Sequence, residues 1–332
     1  MADSMICLKA TTSGNQNPMR KPIQTNTSWA CVAGATGALL ASGSVLAQSG
    51  GPPRPQFLNG HYPAGVEGIK AASLPPPGFF TRDYNYLYTS DSLVTPGGAS
   101  VPVDLTAYVN AFRNIWITEK KVFGANYGMD VLLPFVYTDF KAGGFKDSGF
   151  EFGDICVEPL LLSWNGDHFD FSVAYAFWAP TGAADPNSPS KPGKDFWSNM
   201  FTAGATWYPA LDKSWALSVL NRYEVHTKND LVGITPGNTY TLEWGLSKSL
   251  CPTLDFGVIG YYQQQVNNDH GPGVAVLGYD PSVHAQVWAA GPELSIAFPK
   301  SMCFVSARFA HEFSAVNRTQ GETFNITLTK RW

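Results

Sequence analysis

The sequence carries little charge, since only 14% of its 332 residues are Asp, Glu, Lys or Arg, well below the roughly 25% of soluble domains. It has no basic cluster and a formal net charge of −4, which argues against a nucleic-acid partner. Beyond its first fifty residues it also lacks an apolar run long enough for a membrane-spanning helix. What remains is a chain rich in aromatic residues, at 14%, and in glycine, with 32 residues. This composition suits a β-barrel with an apolar outside and a polar inside.

Cysteines are few and do not form a framework. Cys7 and Cys31 lie near the N-terminus, and Cys156, Cys251 and Cys303 follow later. An odd number of cysteines without metal-ligand spacing predicts neither a disulfide scaffold nor a zinc site. We therefore expect no metal and no other cofactor. A single bridge between Cys251 and Cys303 stays possible in an oxidising compartment.

The N-terminal stretch has the pattern of an export signal. Arg20 and Lys21 form a basic region, and Met19 before them is a possible true start. Small and apolar residues follow as far as Leu46, and Ala47 precedes a potential cleavage point. We predict a signal peptide over residues 1–47, with a transmembrane anchor as the alternative.

Residues 48–78 form a segment rich in proline and glycine that ends in Pro75, Pro76 and Pro77. This composition does not continue a strand. Two interpretations stay open for the segment: a tether, or a plug that folds into the lumen of a barrel.

The C-terminal strand gives the clearest membrane signal. From Thr323 onward, polar and apolar side chains alternate with the period of two that a strand requires. Phe324, Ile326, Leu328 and Trp332 share the apolar face, and Trp332 ends the chain. An apolar face that ends in an aromatic residue is typical of the last strand of an outer-membrane barrel. We interpret these four residues as a membrane-insertion signal.

Alternating aromatic segments fill the remainder, and we predict an all-β, antiparallel transmembrane barrel over residues 79–332. Its twelve expected strands span residues 79–89, 107–118, 122–140, 153–164, 169–180, 197–209, 215–228, 239–249, 253–266, 285–298, 302–313 and 323–332. Each is near the length that a tilted strand needs to cross a bilayer.

The predicted connections alternate in length. Short links lie at 119–121, 165–168, 210–214, 250–252 and 299–301, whereas the links at 90–106, 141–152, 181–196, 229–238, 267–284 and 314–322 are longer. Barrels with tight periplasmic turns and long outer loops have this alternation, and soluble sandwiches do not need it.

Aromatic residues are sorted in the same way. We place Trp116, Trp164, Trp207, Trp215 and Trp332 at the short-turn side, and Tyr86, Tyr88, Tyr137, Phe177, Trp197 and Tyr240 at the long-loop side. Two such girdles mark the two membrane interfaces.

Several stretches resemble the meta-pathway phenol-degradation family of outer-membrane proteins. The most specific is His61 to Phe79, and weaker matches lie at Gly153–Asp154 with Glu158–Leu162, Phe177–Gly182, Gly260–Gln264 and Gly291–Glu293. The resemblance covers most of the chain after residue 48. It implies a secreted β-barrel that is often encoded with aromatic catabolism and regarded as a transporter, and it supplies no catalytic residues. The cysteines depart from the expected pattern.

Charged residues on the strands are expected to point into the lumen, because charge facing lipid is costly. The candidate pore-lining residues are Arg222, Glu224, Glu243, Glu293, Arg308, Asp83, Asp130 and Glu158, together with Arg331. They form either a mutually neutralising network or a charged constriction that selects solutes. Strand parity further predicts that Arg222 contacts Glu243 and that Glu293 lies near Arg308.

We therefore predict a channel in the bacterial outer membrane for small apolar or aromatic molecules, with the link to phenol catabolism that the family resemblance implies. Its expected partners are outer-membrane lipid, the substrate and the outer-membrane assembly machinery. A structural or adhesion barrel is the first alternative. A barrel-type hydrolase is the second, but no histidine stands beside a serine in an obvious strand-pair pattern, so no catalytic residue is predicted.

Overall fold

The computed structural model describes residues 52–332. The predicted signal peptide lies outside these residues. The described part contains thirteen strands, one short α-helix, α1 (Pro272–Leu277), and two single turns of 3₁₀-helix, Gln56–Leu58 and Pro299–Ser301. The strands are β1 (Gly78–Val94), β2 (Ser100–Val122), β3 (Ala125–Ala142), β4 (Phe145–Phe152), β5 (Ile155–Asn165), β6 (Phe169–Ala179), β7 (Ser198–Trp207), β8 (Trp215–His226), β9 (Thr239–Cys251), β10 (Leu254–Gln265), β11 (Gln286–Phe298), β12 (Cys303–Val316) and β13 (Arg318–Arg331).

Twelve of these strands close into an antiparallel barrel. Each pairs with its neighbours in sequence, β3 pairs with both β2 and β5, and β1 pairs with β13 to close the ring. β4 is outside the ring, because it pairs only with the outer half of β3, from Phe135 to Ala142. The predicted fold class and strand number are confirmed, and β4 is an additional strand that the sequence did not reveal.

The outer hairpins differ from the predicted connections. In the predicted link 90–106, β1 and β2 are longer than expected, and only residues 95–99 connect them. In the predicted link 314–322, β12 and β13 are also longer, and only Asn317 lies between them. Those two links are thus tight turns rather than loops, and the predicted link at 141–152 contains β4. Polar strand ends can continue their ladder outside the membrane because the neighbouring strand still satisfies their backbone groups. The remaining long connections lie at the same end of the barrel.

The barrel wall alternates as its strand pattern predicts. On β8, the side chains of Trp215, Leu217 and Val219 are exposed, whereas Ala216, Ser218 and Leu220 between them are buried. The exposed set faces lipid and the buried set faces the lumen, since successive side chains point to opposite faces. Phe324, Leu328 and Trp332 are likewise exposed.

Girdle positions are confirmed for some aromatic residues and wrong for two. Trp116, Trp207 and Trp215 are exposed at the short-turn side, as expected. Tyr86 and Tyr88 are buried instead, because even positions of β1 face the lumen. Their hydroxyls donate hydrogen bonds there, from Tyr86 to the carbonyl of Ala64 and from Tyr88 to Glu312.

Residues 52–77 run inside the barrel, and we call them the inner segment. Arg54 near its start bonds Asp269 of an outer loop, and the carbonyl of Pro77 at its end accepts a bond from Arg331. Between these ends, Tyr62, Ala64 and other apolar side chains pack against inward-facing residues of the wall. The inner segment therefore traverses the lumen from the outer end to the short-turn end.

Two further findings concern the described residues. None of their helices has the length and apolar character needed to cross a membrane. Cys156, Cys251 and Cys303 are all free thiols, so the bridge between the latter two is not formed.

The orientation of the barrel can be tested by labelling. In a background with the native cysteines replaced by serine, Val276→Cys on an outer loop and Leu211→Cys on a short turn provide matched sites, with exposures of 61% and 70%. We expect a membrane-impermeant maleimide to label Val276→Cys on intact cells and Leu211→Cys only after lysis. Labelling of Leu211→Cys alone on intact cells would contradict this orientation.

Closure of the barrel gives a second prediction, which concerns Trp332. Its backbone N–H donates to the carbonyl of Phe79, and its indole N–H donates to Thr81 Oγ1, both at 3.0 Å. Deleting Trp332 removes contacts across the closing β1–β13 seam, so we expect less heat-modifiable barrel in outer-membrane fractions. Trp332→Phe keeps the aromatic face and should retain most of it. Equal levels in the deletion and the wild type would refute the insertion role.

Candidate substrate pathway inside the barrel

Seven of the eight candidate pore-lining residues point into the lumen. They are all buried: Asp130, Glu158, Arg222, Glu224, Glu243, Glu293 and Arg308. Each lies on a strand at a position whose neighbours along the chain face lipid. Their placement follows from strand parity, and their role in transport stays a proposal.

Asp83 is the exception, and its expected place in the lumen is wrong. It pairs with Phe112, which is 38% exposed on the outer face of β2, while Tyr84 next to it is buried. Asp83 instead accepts a 2.7 Å hydrogen bond from the side chain of Asn110. Whether a strand residue faces lipid or the lumen depends on its odd or even position along the strand, and not on its charge. The bond to a neighbouring amide partly offsets the cost of facing outward.

Arg222 and Glu243 form the contact that the strand pattern suggested. Arg222 Nη1 lies 2.5 Å from Glu243 Oε2, across the β8–β9 pair. The hydroxyl of Tyr62 donates to the same carboxylate oxygen, and the Arg222 guanidinium stacks 4.0 Å from the centroid of the Tyr62 ring. The other oxygen, Glu243 Oε1, accepts backbone N–H bonds from Gly65 and Glu67. The ion pair therefore also holds the inner segment.

Glu293 and Arg308 form a second pair of the same kind. They are direct partners on β11 and β12, and their side chains lie 3.3 Å apart. Glu293 accepts the backbone N–H of Ile69, while Arg308 donates to the carbonyl of Val66. A Cβ at position 68 would lie 1.7 Å from Glu293 Oε2. Glycine at this position is what allows the carboxylate to approach the backbone.

Arg113 on β2 contacts three carboxylates, two on the barrel wall and one on the inner segment. Its guanidinium lies 2.6 Å from Asp130 and 2.9 Å from Glu158, and 3.5 Å from Glu67 of the inner segment. Glu67 is also paired with Arg82 at 3.0 Å. Glu67 is thus the acidic centre of an arginine cluster.

Two cavities lie within the barrel. The one toward the outer loops has a volume of about 240 Å³, and the one toward the short turns about 430 Å³. Four charged side chains line both cavities, and we call them the charged divider: Glu67, Arg113, Glu158 and Arg222. A molecule that crosses the barrel by this route must pass the divider.

At the outer end, the structure contains a polar cluster that sequence reasoning missed. Ser198 and His226 are directly opposite on β7 and β8, and Ser198 Oγ lies 2.6 Å from Nδ1 of both His226 and His61. His61 Nε2 lies 3.0 Å from Asp154 Oδ2. The expectation that no histidine stands beside a serine was therefore wrong. Burial lowers the pKa of His61 to about 4, so its imidazole is neutral.

Comparison with known proteins decides the family. Residues 89–328 match the protein family described as "Putative MetA-pathway of phenol degradation". The chain belongs to this family. The match confirms the resemblance found in the sequence, and a closed barrel with an apolar outer face is the fold of bacterial outer-membrane proteins. A search of curated proteins finds no match.

Two solved structures are similar to this chain to different degrees. The chain is similar to the COG4313 outer membrane channel from Pseudomonas putida F1, with a TM-score of 0.69 and 15% identity, covering 82% of this chain and 99% of that one. The translocator domain of the autotransporter NalP from Neisseria meningitidis gives 0.49 and 12%, covering 79% and 91%. At this identity the first similarity establishes the barrel fold alone.

The Arg222–Glu243 pair yields a prediction about coupling. Arg222→Ala and Glu243→Ala each leave a buried charge without its partner, so we expect both to destabilise the barrel. The double variant should lose less than the sum, with a coupling of about 1–3 kcal/mol in the free energy of unfolding. Urea titration in lipid vesicles measures all four proteins.

The exposed pair of Lys141 and Asp104 is the matched control for that cycle. Their side chains are 39% and 63% exposed and lie 2.8 Å apart where the outer ends of β2 and β3 pair. We expect less than about 1 kcal/mol of coupling there, because solvent screens exposed ion pairs. Additive effects at Arg222 and Glu243 would show that the buried contact does not couple them.

Proposed function

We propose that this family member admits small aromatic molecules through the outer membrane, and that the inner segment acts as its plug. The observation that carries the proposal is the outer cavity, which lies between the plug and the wall. Its lining includes Tyr84, Tyr86, Trp178, Leu132 and Met200. Aromatic and aliphatic side chains with a few polar groups are the usual lining of a site for a small apolar ligand.

Polar groups lie at both ends of this cavity, whereas its middle is apolar. His61, Asp154 and Lys194 lie toward the outer loops, and the charged divider forms the inner boundary. A monocyclic aromatic compound with a hydroxyl group would bury its ring among the apolar side chains and reach a carboxylate or a guanidinium with its hydroxyl. Phenol is the simplest compound of this kind, in keeping with the family's description.

Passage beyond the cavity requires the divider to open. The inner segment is bound to the wall through Glu243, Glu293 and Arg308, and these bonds involve backbone groups of residues 65–69. A shift of this short stretch would join the two cavities without opening the barrel wall. We therefore assign the gate to residues 65–69 rather than to the strands.

The Ser198, His61 and Asp154 arrangement raises the hydrolase alternative again, because a serine, a histidine and an aspartate are in hydrogen-bond contact. Ser198 is completely buried, however, and its hydroxyl is held between two imidazoles. A nucleophile must be open to its substrate. We therefore propose a structural role for the three residues and a protein without enzymatic activity.

The final strand supports a proposal about assembly. The side chains of Phe324, Leu328 and Trp332 form an exposed apolar row at the chain terminus. We propose that the outer-membrane assembly machinery binds this row before the barrel closes.

Filling the outer cavity tests the channel proposal. Ala111 is buried in the cavity wall, so Ala111→Phe should fill it and lower uptake of labelled phenol by at least about fivefold in energised cells. Ala203→Phe is the control, because Ala203 lies on the lipid face of β7. This variant should transport like the wild type, and surface levels of both variants should be compared by heat-modifiability.

Two results would contradict the proposal. The first is unchanged phenol uptake by Ala111→Phe at normal surface levels. The second is equal uptake by cells with and without the protein, which would return the adhesion or structural barrel to first place.

A further inference from the structure

Three side chains with metal-binding atoms meet at the outer end of the inner segment. His61 belongs to the inner segment, whereas Glu224 and His226 lie on β8. One ligand atom from each residue can be chosen so that all lie within 4.8 Å of one another. The chain thus brings two imidazoles and a carboxylate together from positions more than 160 residues apart.

Hydrogen bonding around His61 assigns its two ring nitrogens. Asp154 accepts backbone N–H bonds from Gly182 and Lys194, and its Oδ2 lies 3.0 Å from His61 Nε2. Because a carboxylate oxygen accepts, His61 donates to it from Nε2. His61 Nδ1 then carries a lone pair, directed at Ser198 Oγ.

This arrangement resembles the second shell of a metal site. A histidine that binds a metal through one ring nitrogen commonly donates its other N–H to a carboxylate, which orients the ring. Asp154 has this relation to His61, at 3.0 Å. Phe196 packs edge-on against both imidazole rings and limits their rotation.

Glu224 supplies the observation that points to a ligand. Its Oε1 accepts the backbone N–H groups of His61 and Tyr62, but its buried Oε2 has no hydrogen-bond partner among the described residues. The side chain is only 1% exposed. A buried carboxylate oxygen without a partner is costly, and a cation would satisfy it.

Gly60 leaves space on this side of the carboxylate. A Cβ at position 60 would lie 2.4 Å from Glu224 Oε2 and 2.9 Å from Thr239 Oγ1. The backbone can approach the unpartnered oxygen at this position because glycine has no side chain.

We propose that His61, Glu224 and His226 bind a divalent transition-metal ion of the zinc type, which fastens the inner segment to β8. Two histidines and a glutamate are an established ligand set for zinc, with a fourth position for water or a hydroxyl. Ser198 Oγ lies 2.6 Å from Nδ1 of each histidine and provides that hydroxyl. Ligands 2.0–2.1 Å from a tetrahedral ion lie roughly 3.4 Å apart. On binding the ion, the three charged or imidazole ligands must therefore adjust toward that spacing, and Ser198 Oγ must move away from the two Nδ1 atoms.

Nearby cations oppose metal binding but do not prevent it. Lys194 and Arg54 both contribute positive charge near His226. Burial lowers the pKa of Lys194 to about 8, which reduces its charge at slightly alkaline pH, and Arg54 is already paired with Asp269 at 2.6 Å. Glu224 and Asp154 supply two carboxyl groups on the other side.

The direct test uses the full-length protein, purified in detergent and stripped with a chelator. We expect titration with Zn²⁺ in a calorimeter to give one tight site per chain, and Co²⁺ to give the intense visible absorption of a tetrahedral ion. Hydrogen exchange at the backbone N–H groups of His61 and Tyr62 should slow when Zn²⁺ is added. Absence of stoichiometric binding by the wild type overturns the proposal without the use of any variant.

Variants then locate the site. His226→Ala and Glu224→Gln should each weaken Zn²⁺ binding by about tenfold or more, with folding checked by heat-modifiability. His311→Ala is the matched control, since His311 lies on β12 with its side chain 61% exposed and 3.4 Å from Glu322. Its Zn²⁺ affinity should equal that of the wild type. Loss of binding in His311→Ala, with retention in His226→Ala, would identify a surface site and overturn the proposal.

Discussion

A charged group inside a narrow barrel needs a partner, and this requirement governs the interior of the protein. Glu243, Glu293 and Arg308 are each buried and each lie on the wall. Glu293 pairs with Arg308 and Glu243 pairs with Arg222, and backbone groups of the inner segment bond further oxygen and nitrogen atoms of these side chains. A buried ion pair is stable only when its remaining hydrogen-bond donors and acceptors also have partners. The wall and the inner segment are therefore complementary parts of one polar network.

The barrel could be predicted from the sequence because its signal is repeated. Every strand alternates, and the register of neighbouring strands follows from short turns, so Glu293 and Arg308 could be expected near each other before the structure was known. Asp83 was misplaced because its charge was given more weight than the parity of β1, on which Tyr84 and Tyr86 face inward. The Ser198 and His226 pair was missed because β7 and β8 do not pair symmetrically about the turn at 208–214. Equal counting from that turn places Ser198 opposite Glu224, whereas Trp207 pairs with Leu217 and Ser198 with His226.

The contacts of the inner segment could not be predicted in this way. The segment has no period, and its partners lie far along the chain, as between Gly65 and Glu243. Only its glycines gave a local signal: Gly65 has a positive φ of 83°, and Gly68 stands where any side chain would meet Glu293. Such glycines indicate that the backbone lies close to another part of the chain, but they do not identify the strand that it contacts. The metal-ligand cluster was missed for the same reason, because one of its three residues belongs to this segment.

The path of the inner segment also fixes an order of events in folding. The backbone N–H of Arg54 donates a hydrogen bond to Asn317 Oδ1, 263 residues later in the chain. The backbone N–H of Ile69 donates to Glu293 on β11. These acceptors exist in their final positions only when the last strands have joined the ring. The first described residues of the chain consequently acquire these native contacts no earlier than the last strands join the ring.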